Sequence, residues 1–531
     1  MRTGRITCEK WQSHDHSRIV LEFLFDCSRV TAKECLGDWD ALVTGSRKRN
    51  SVSHSVNGGM REREILRAHY DRVAAERPRW RVRGRGYHGE LERFLRCLIP
   101  AGARVLEIGC GIGDLLAASA PAGRGVGVDF SAPMITRART RHPEHTFLIG
   151  DAEYLPLRAR FDYVILSDLV GSLMDVQTAL AQLQKVTAPH SRLVLTYYNY
   201  LWEPLLRAAE RLGWKMPQPI QHWLPRQDLE GILRLAGFDV VRTTSLVLLP
   251  LPIPLLAPLC NRILARLPGL QRFALANVIV ARPVPPRLNP AHQSVSVVIP
   301  CRNERGNIPD AVRRVPAMGR HTELIFVEGN STDGTAEAIR AEIRAHPERD
   351  VRLILQGEGR GKGDAVRKGF ACAKGDVLMI LDADLTVRPE DLPKFHQALC
   401  EGHGELINGS RLVYQREGQA MRFLNLLGNK AFSWLFSYLL DQRFRDTLCG
   451  TKVLFRHDYE RIAANRAVLG DFDPFGDFDL LFGAARLNLK IVDLPVRYGS
   501  RVYGTTNIQR FRHGWLLLRM CLFAMRRIKF V

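Results

Sequence analysis

"MILDADLTVRPEDL", residues 379–392, runs a block of apolar residues straight into two carboxylates, Asp382 and Asp384. With the residues before it the stretch reads "DVLMILDADLTV", a short continuous apolar run that fits a strand buried on both faces of a parallel sheet. The acids then stand at the carboxyl edge of that sheet, where α/β folds bind their ligands. Two carboxylates about 4 Å from a ligand diphosphate would each repel it by several kcal/mol at intermediate dielectric. A divalent cation reverses the sign, because Mg2+ or Mn2+ prefers oxygen ligands and bridges carboxylates to a diphosphate. The metal also offsets the charge that develops on a departing diphosphate. A pair of turn-forming aspartates is the competing reading of "DAD" taken alone.

The surrounding segments repeat a strand-then-turn pattern. "SVSVVIPCRNERGNI" is a strand and a polar turn, and "TELIFVEGNSTDGTAEAI" a second strand with Asp333-Gly334-Thr335 opening a helix. "VRLILQGEGRGKGDAVRKGF" is a third strand, followed by a loop in which Gly357, Gly359, Gly361 and Gly363 surround Lys362. It is not a Walker A loop, since Gly363 stands where Ser or Thr is required, yet glycines beside a lysine suit a diphosphate.

Taken in order, "VVIPCRNE", "VEGNSTDGT", "GKGDAVRKG", "LDADLTVRPEDL" and "NGSRLVY" resemble family 2 glycosyltransferases of the GT-A fold. The pattern is closest to the dolichol- or polyprenyl-phosphate sugar synthases. The resemblance implies that Pro300, Arg302 and Glu304 lie along a nucleotide, with Glu328 and Asp333 close to its base or ribose. It implies that Asp382 and Asp384 hold the metal, and that Arg411 and Lys452 face phosphates with Lys362 beside them. "DTLCGTKVLF" and "GDFDLLFGA" match the acceptor side, with Asp446, Asp477 or Asp479 as acids there. A lipid phosphate is already an anionic nucleophile, whereas a sugar hydroxyl must lose a proton to such a carboxylate. Asp477 and Asp479 also read as helix-start acids favoured by the dipole. Two departures stand out: Glu328-Gly329 replaces the family's usual acidic pair, and Thr386 stands where some members place a third metal ligand.

Upstream, "ARPVPPRLNPAHQ" (residues 281–293) carries four prolines and reads as a stiff linker. Before it, "ARVLEIGCGIGDLLAA" is a strand, a glycine turn and a helix start, in which Gly109, Gly111 and Gly113 let backbone approach a ligand. "GVGVDFS" ends a second strand at Asp129, placed for ribose hydroxyls. A glycine turn serves either a dinucleotide or S-adenosylmethionine. Here the form is G-x-G-x-G preceded by Glu107, not the dinucleotide G-x-G-x-x-G. "FLIGDAEYLPL", "FDYVILSDLV" and "SRLVLTYYN" continue the strands, and "GFDVVRTTSLVLL" with "FALANVIVARP" is expected to close them as a hairpin. Together these segments resemble class I S-adenosylmethionine-dependent methyltransferases. The resemblance puts Glu107 and the glycines by the methionine moiety, Asp129 on the ribose, and Asp151 with Ala152 at the adenine. Tyr197, Asn199 and His222 are candidates for the acceptor pocket.

Composition bounds the rest. A chain of 531 residues with 46% apolar and 25% charged residues is globular and holds two or three domains. Its formal net charge of +21 favours an anionic partner, although part of the excess simply solvates the surface. No aromatic-interleaved basic motif supports nucleic acid. Eleven cysteines without a Cys-x-x-Cys pair fit reduced thiols in a cytoplasmic protein. "SLVLLPLPIPLLAPLC" (residues 245–260) has four prolines and cannot span a membrane as a helix. "WLLLRMCLFAMRRIKFV" (residues 515–531) sets apolar residues beside a basic cluster, which suits a helix on an anionic membrane surface or an ordinary core helix with a charged end.

The expected fold class is α/β in two domains. A poorly ordered extension over 1–59 precedes a Rossmann-like methyltransferase fold over 60–280, with helix opening at Met60. The linker 281–293, a GT-A glycosyltransferase fold over 294–514 and a basic amphipathic helix over 515–531 follow. The expected activity is bifunctional. A sugar passes with inversion from a nucleotide-sugar to polyprenyl phosphate or a glycan, and S-adenosylmethionine methylates a second acceptor in glycolipid or cell-surface polysaccharide synthesis. The alternative keeps the glycosyltransferase and makes the first domain a non-catalytic module. The expected location is cytoplasmic, peripheral at the inner face of the membrane.

Overall fold

The computed structural model describes residues 49–121, 125–359, 361–413, 423–466, 476–504 and 510–529. The expected extension therefore lies outside the described residues up to residue 48. Residues 49–59 belong to the helix Arg49–Val73, so helix begins eleven residues before Met60. The polar letters there are only mildly unfavourable for helix, and local propensity is a weak guide at such a boundary. Residues 66–531 form one compact unit that carries two sheets.

The first sheet has seven strands: β1 Val105–Ile108, β2 Gly125–Asp129, β3 Thr146–Ile149, β4 Phe161–Ser167, β5 Thr187–Tyr198, β6 Phe238–Leu246 and β7 Ala276–Pro283. Their order is β3-β2-β1-β4-β5-β7-β6, with β1 to β5 parallel and β7 antiparallel to both neighbours. Successive side chains feed opposite layers. Val105, Ile165 and Val194 pack with the helix Arg85–Leu98 on one face, while Leu106, Val164 and Leu195 pack with the helices Val176–Gln182 and Arg226–Leu235 on the other. The closing hairpin pairs as expected, Phe238 opposite Pro283 and Leu246 opposite Ala276. That pairing corrects the linker boundary. Residues 281–283 belong to β7, held by the ladder from Leu193 to Ala281, and the chain turns again at Pro290–His292.

The second sheet comprises β8 Ser294–Cys301, β9 His321–Glu328, β10 Asp350–Leu355, β11 Val377–Ile380, β12 Leu406–Ser410, β13 Lys452–Phe455 and β14 Ile491–Pro495. Its order is β10-β9-β8-β11-β13-β12-β14, parallel through β11 and interrupted by antiparallel β13. Each sheet reverses its winding direction once, at β1/β4 and at β8/β11, which opens a crevice at the carboxyl ends of those strands.

Buried charge joins the two sheets. Arg192 on β5 pairs with Glu405 just before β12 at 2.7 Å and donates to the Asn488 carbonyl. Arg282 on β7 pairs with Asp239, donates to the Gly402 carbonyl, and lies 3.6 Å from the other Glu405 oxygen. Lys490 reaches back to Asp239.

The C-terminal helix runs Arg510–Ala524 and continues as a wider turn over Met525–Lys529. Leu517, Met520, Cys521 and Ala524 enter the core of the second sheet, and Lys529 is buried against Asp441. The helix is thus a core element, and its outer side presents Trp515, Leu518 and Leu522. Among the described residues no helix is long and apolar enough to cross a membrane.

Candidate functional site

At the β1/β4 crevice the chain leaves β1 through Gly109, Gly111 and Gly113, all at positive φ. A Cβ on Gly111 would meet nothing within 4 Å, so the loop fronts open space. Glu107 is buried, and one of its carboxylate oxygens has no hydrogen-bond partner. Burial pushes its carboxyl up to about 8, against the opposing field of Arg81. Asp129 ends β2 and accepts from the Gly111 and Ser131 amides at 2.8 and 3.0 Å, so it shapes the loop as well as facing the crevice. Asp151 caps the short turn Ala152–Tyr154 by accepting from the Glu153 amide. An orphaned buried carboxylate beside an open glycine loop fits the cationic methionine end of S-adenosylmethionine.

The structure adds a group that sequence reasoning missed. Asp168 follows β4 in left-handed backbone, φ 53°, a conformation few non-glycine residues adopt. The Tyr87 hydroxyl donates to it, lying 2.8 and 2.9 Å from its two oxygens, and the Thr196 hydroxyl donates at 3.1 Å. Burial raises the Asp168 carboxyl above its ordinary range despite these bonds and the nearby Arg77 and Lys215. Tyr198 lies tilted against Tyr87 with ring centroids 5.7 Å apart. Of the expected acceptor residues, Tyr197 faces the opposite layer of the sheet, and Asn199 is committed to the Arg272 and Ala274 carbonyls. The His222 amide binds the Gly171 carbonyl, and among the described residues no hydrogen bond joins its ring to Asp168. One step along β5 moves a side chain to the other face, so Tyr198 replaces Tyr197.

At the β8/β11 crevice Asp382 and Asp384 leave β11, with Leu385 in left-handed backbone behind them, φ 50°. Lys362, in the first turn of the helix Gly361–Cys372, lies 2.6 Å from Asp382. Burial pushes the Asp382 carboxyl up, but Lys362, helped by the charges of Lys452 and Arg411, holds it below its usual value. Asp384 accepts from the Thr386 hydroxyl at 2.8 Å and from Arg501 at 2.7 Å. Arg501 also pairs with Glu304 at 3.0 Å, tying the end of β8 to the end of β11. Gly450 makes room for the pair, since a Cβ there would stand 2.2 Å from an Asp382 oxygen and 2.4 Å from the Lys362 amine. Neither Arg501 nor Gly450 carried a sequence signal; each is recognised only by what it faces.

The other expected residues divide. Glu328, at the end of β9, accepts from the Ser331 amide, and Asp333 accepts from the Arg305 and Thr335 amides, so both hold loops at the crevice. Pro300 is the penultimate residue of β8, and Arg302 is exposed beyond it, near Gly329. Lys452 is fully buried, donates to the Cys449 carbonyl, and adds to the positive field on Asp382. Asp446 has no exposed surface and binds Arg411 with both oxygens at 2.7 and 2.9 Å, while Asn429 adds a bond at 2.9 Å. That carboxylate anchors Arg411. Asp479 is buried and paired with Arg466 at 2.8 Å; the side chain of Asp477 lies outside the described residues.

Two carboxylates two residues apart, without a closed cage of protein oxygens among the described residues, fit a hard divalent ion that keeps positions for phosphate. Mg2+ or Mn2+ at Asp382 and Asp384 is compatible with this donor set.

The description "Methyltransferase domain" matches residues 79–243, and "Glycosyl transferase family 2" matches residues 296–463. A dolichol-phosphate mannosyltransferase of Saccharomyces cerevisiae is 42% identical over 109 residues, 20% of this chain and 40% of that protein. The chain thus spans less than half of that relative's length. Glycosyltransferase AglJ of Haloferax volcanii is 29% identical over 231 residues, 43% of this chain and 71% of that protein. Among solved structures, an S-adenosylmethionine-dependent methyltransferase of Thermotoga maritima is 19% identical, covers 41% of this chain and 99% of its own, and has a TM-score of 0.33. The chain carries a methyltransferase domain followed by a family 2 glycosyl transferase domain.

Proposed function

We propose that the second domain transfers a sugar from a nucleotide-sugar to polyprenyl phosphate with inversion, and that the first methylates a partner molecule of the same glycolipid or cell-surface polysaccharide pathway. The observation that carries the sugar transfer is the paired Asp382 and Asp384 at the β8/β11 crevice, answered by Lys362 and Arg501. A divalent metal held by the two aspartates supplies charge stabilisation for the departing diphosphate. Lys362 stands on the same carboxylate and adds a second cation there. An acceptor phosphate oxygen displaces the diphosphate at the anomeric carbon and needs no base. This agrees with Asp446 and Asp479 both being engaged in ion pairs.

In the first domain S-adenosylmethionine supplies an electrophilic methyl group when bound. Glu107 and Asp129 orient the donor, and Asp168 takes the proton of the acceptor's hydroxyl or amine. A buried carboxylate of raised pKa, aimed by Tyr87 and Thr196, favours turnover over a purely binding role. The work is done peripherally at the inner face of the membrane, where anionic lipid attracts a chain of net charge +21.

The decisive assay follows sugar transfer from a panel of nucleotide-sugars to polyprenyl phosphate. Activity should vanish in EDTA and return with Mg2+ or Mn2+. Replacing Asp382 and Asp384 together by Asn should lower turnover about a thousandfold, the equivalent of roughly 4 kcal/mol of leaving-group stabilisation. A folded double variant with full, EDTA-resistant activity would show that the pair is a turn.

A further inference from the structure

Residues 247–275 join β6 to β7, strands that could have met in a tight turn. The segment contains no Asp or Glu, three arginines and ten leucines. Many of its apolar side chains are held outward. Leu255 is 89% exposed, and Leu251, Leu256, Leu259, Ile263 and Leu270 stand well into solvent. They are not loose ends awaiting collapse. Asn261 is buried and exchanges two 2.8 Å bonds with the backbone of Leu249, closing the segment on itself. Leu255 itself is fixed in left-handed backbone, φ 63°, which presents its side chain away from the body. A rigid loop that spends backbone strain to expose leucine is shaped for an apolar contact.

Its position is specific. Because Tyr198 and Leu246 both pair with Ala276, the segment rises from the carboxyl edge of the first sheet, the edge that holds Asp129 and Asp168. Pro250 packs on Gly86, next to Tyr87. On its other side Arg266 is buried and senses the field of Asp441, the carboxylate that pairs with Lys529 of the C-terminal turn. Through Arg266 the segment approaches Tyr438, Asp441 and Lys529, at the ends of two helical stretches of the second domain that begin with the helices Phe423–Leu440 and Arg510–Ala524 and expose Trp434 and Trp515. Basic residues accompany this surface: Arg262 and Arg272 on the segment, Lys430, Arg519 and Arg526 on the helices and the turn that follows them.

We propose that residues 247–275 are a membrane-docking element that seats the methyl-donor end of the first domain on the same anionic lipid surface as the second domain. The proposal extends the reading of a lipid-phosphate acceptor in the second domain and places an acceptor anchored in lipid within reach of Asp168. Lipid is the occupant because the exposed leucines are interspersed with arginine and no acid, and because four closely spaced prolines prevent a span and permit only shallow insertion.

The test uses the full chain and vesicles containing phosphatidylglycerol, without sugar donor, methyl donor or acceptor, so it is independent of either activity. The chain should float with these vesicles, less so with purely zwitterionic ones and less with added salt. Replacing Leu255 and Leu259 by Glu should lower the partition coefficient about tenfold or more, the transfer cost of a buried leucine or two. Both residues are exposed, so an unchanged melting temperature shows that the variant is folded. A benzophenone-bearing residue at position 255 should form lipid adducts on irradiation, while the same group at position 235, exposed near the start of β6 at the opposite sheet edge, should not. Absent adducts at 255, equal adducts at both positions, or unchanged flotation of the double variant would overturn the proposal. So would a concentration-dependent dimer, abolished by Leu255→Glu, in a chain that does not float. Loss of sugar or methyl transfer with flotation intact would instead count against the functional reading alone.

Discussion

Two carboxylates in the first domain carry its pH behaviour. Burial lifts Glu107 to about 8 from 4.5, so between those values the folded chain keeps a proton that the unfolded chain releases. Stability from this group therefore falls as pH rises through the window. Binding a cationic methyl donor favours the ionised form, so donor affinity should climb from pH 6 to pH 8. Calorimetry should show that rise flattened in Glu107→Gln, whose melting temperature should exceed that of the parent at pH 8 and approach it near pH 5. A slope that survives in the variant would assign the titration elsewhere. Asp168→Asn separates binding from chemistry. It should lower methyl transfer by about a hundredfold to ten-thousandfold, the range for a lost general base, with donor affinity little changed. An equal loss of affinity would make Asp168 a donor-positioning residue.

The C-terminal helix has two sides with different consequences. Met520 is buried in the core of the second sheet, and Trp515 is 67% exposed. Met520→Ala should cost about 2–5 kcal/mol in chemical denaturation, as for other large-to-small core changes. Trp515→Ala should stay within about 0.5 kcal/mol of the parent while weakening vesicle binding. Removing residues 515–531 outright would strip core side chains, so truncation reports on folding before it reports on membranes. A similar economy operates in the glycine loops. Gly476 sits at φ 72°, and a Cβ there would stand 2.7 Å from the Gly363 backbone. A side chain at Gly476 would thus collide with the start of the helix Gly361–Cys372, where Gly363 departs from the Walker A pattern.

The two domains depend on one another through Glu405. It faces Arg192 and Arg282, both almost completely buried, and also accepts from the Lys490 amide. Glu405→Ala leaves two buried guanidinium groups without that counter-charge and should cost roughly 3–5 kcal/mol. Denaturation followed separately by probes in each domain should then show two transitions where the parent shows one. A single unshifted transition would mean that the ion pairs are dispensable.

The strands, both glycine loops, the paired aspartates and the two-domain division were legible in the linear chain, because each is encoded by periodicity or spacing over a few residues. Apolar runs ending in Asp129 and Asp382 mark strand ends directly, and the closing hairpin follows from two facing apolar segments. Partnership was not legible, because it depends on where distant segments meet. Tyr87 reaches Asp168 across 81 residues, Arg501 reaches Asp384 across 117, and Arg192 reaches Glu405 across 213. The choice of Tyr198 over Tyr197 turns on which face of β5 looks into the crevice, and the engagement of Asp446 turns on an arginine that shares its pocket. Local letters specify what a strand end can offer a ligand. Only packing decides which charges are already answered from within the protein, since a buried carboxylate takes whichever cation the fold brings closest.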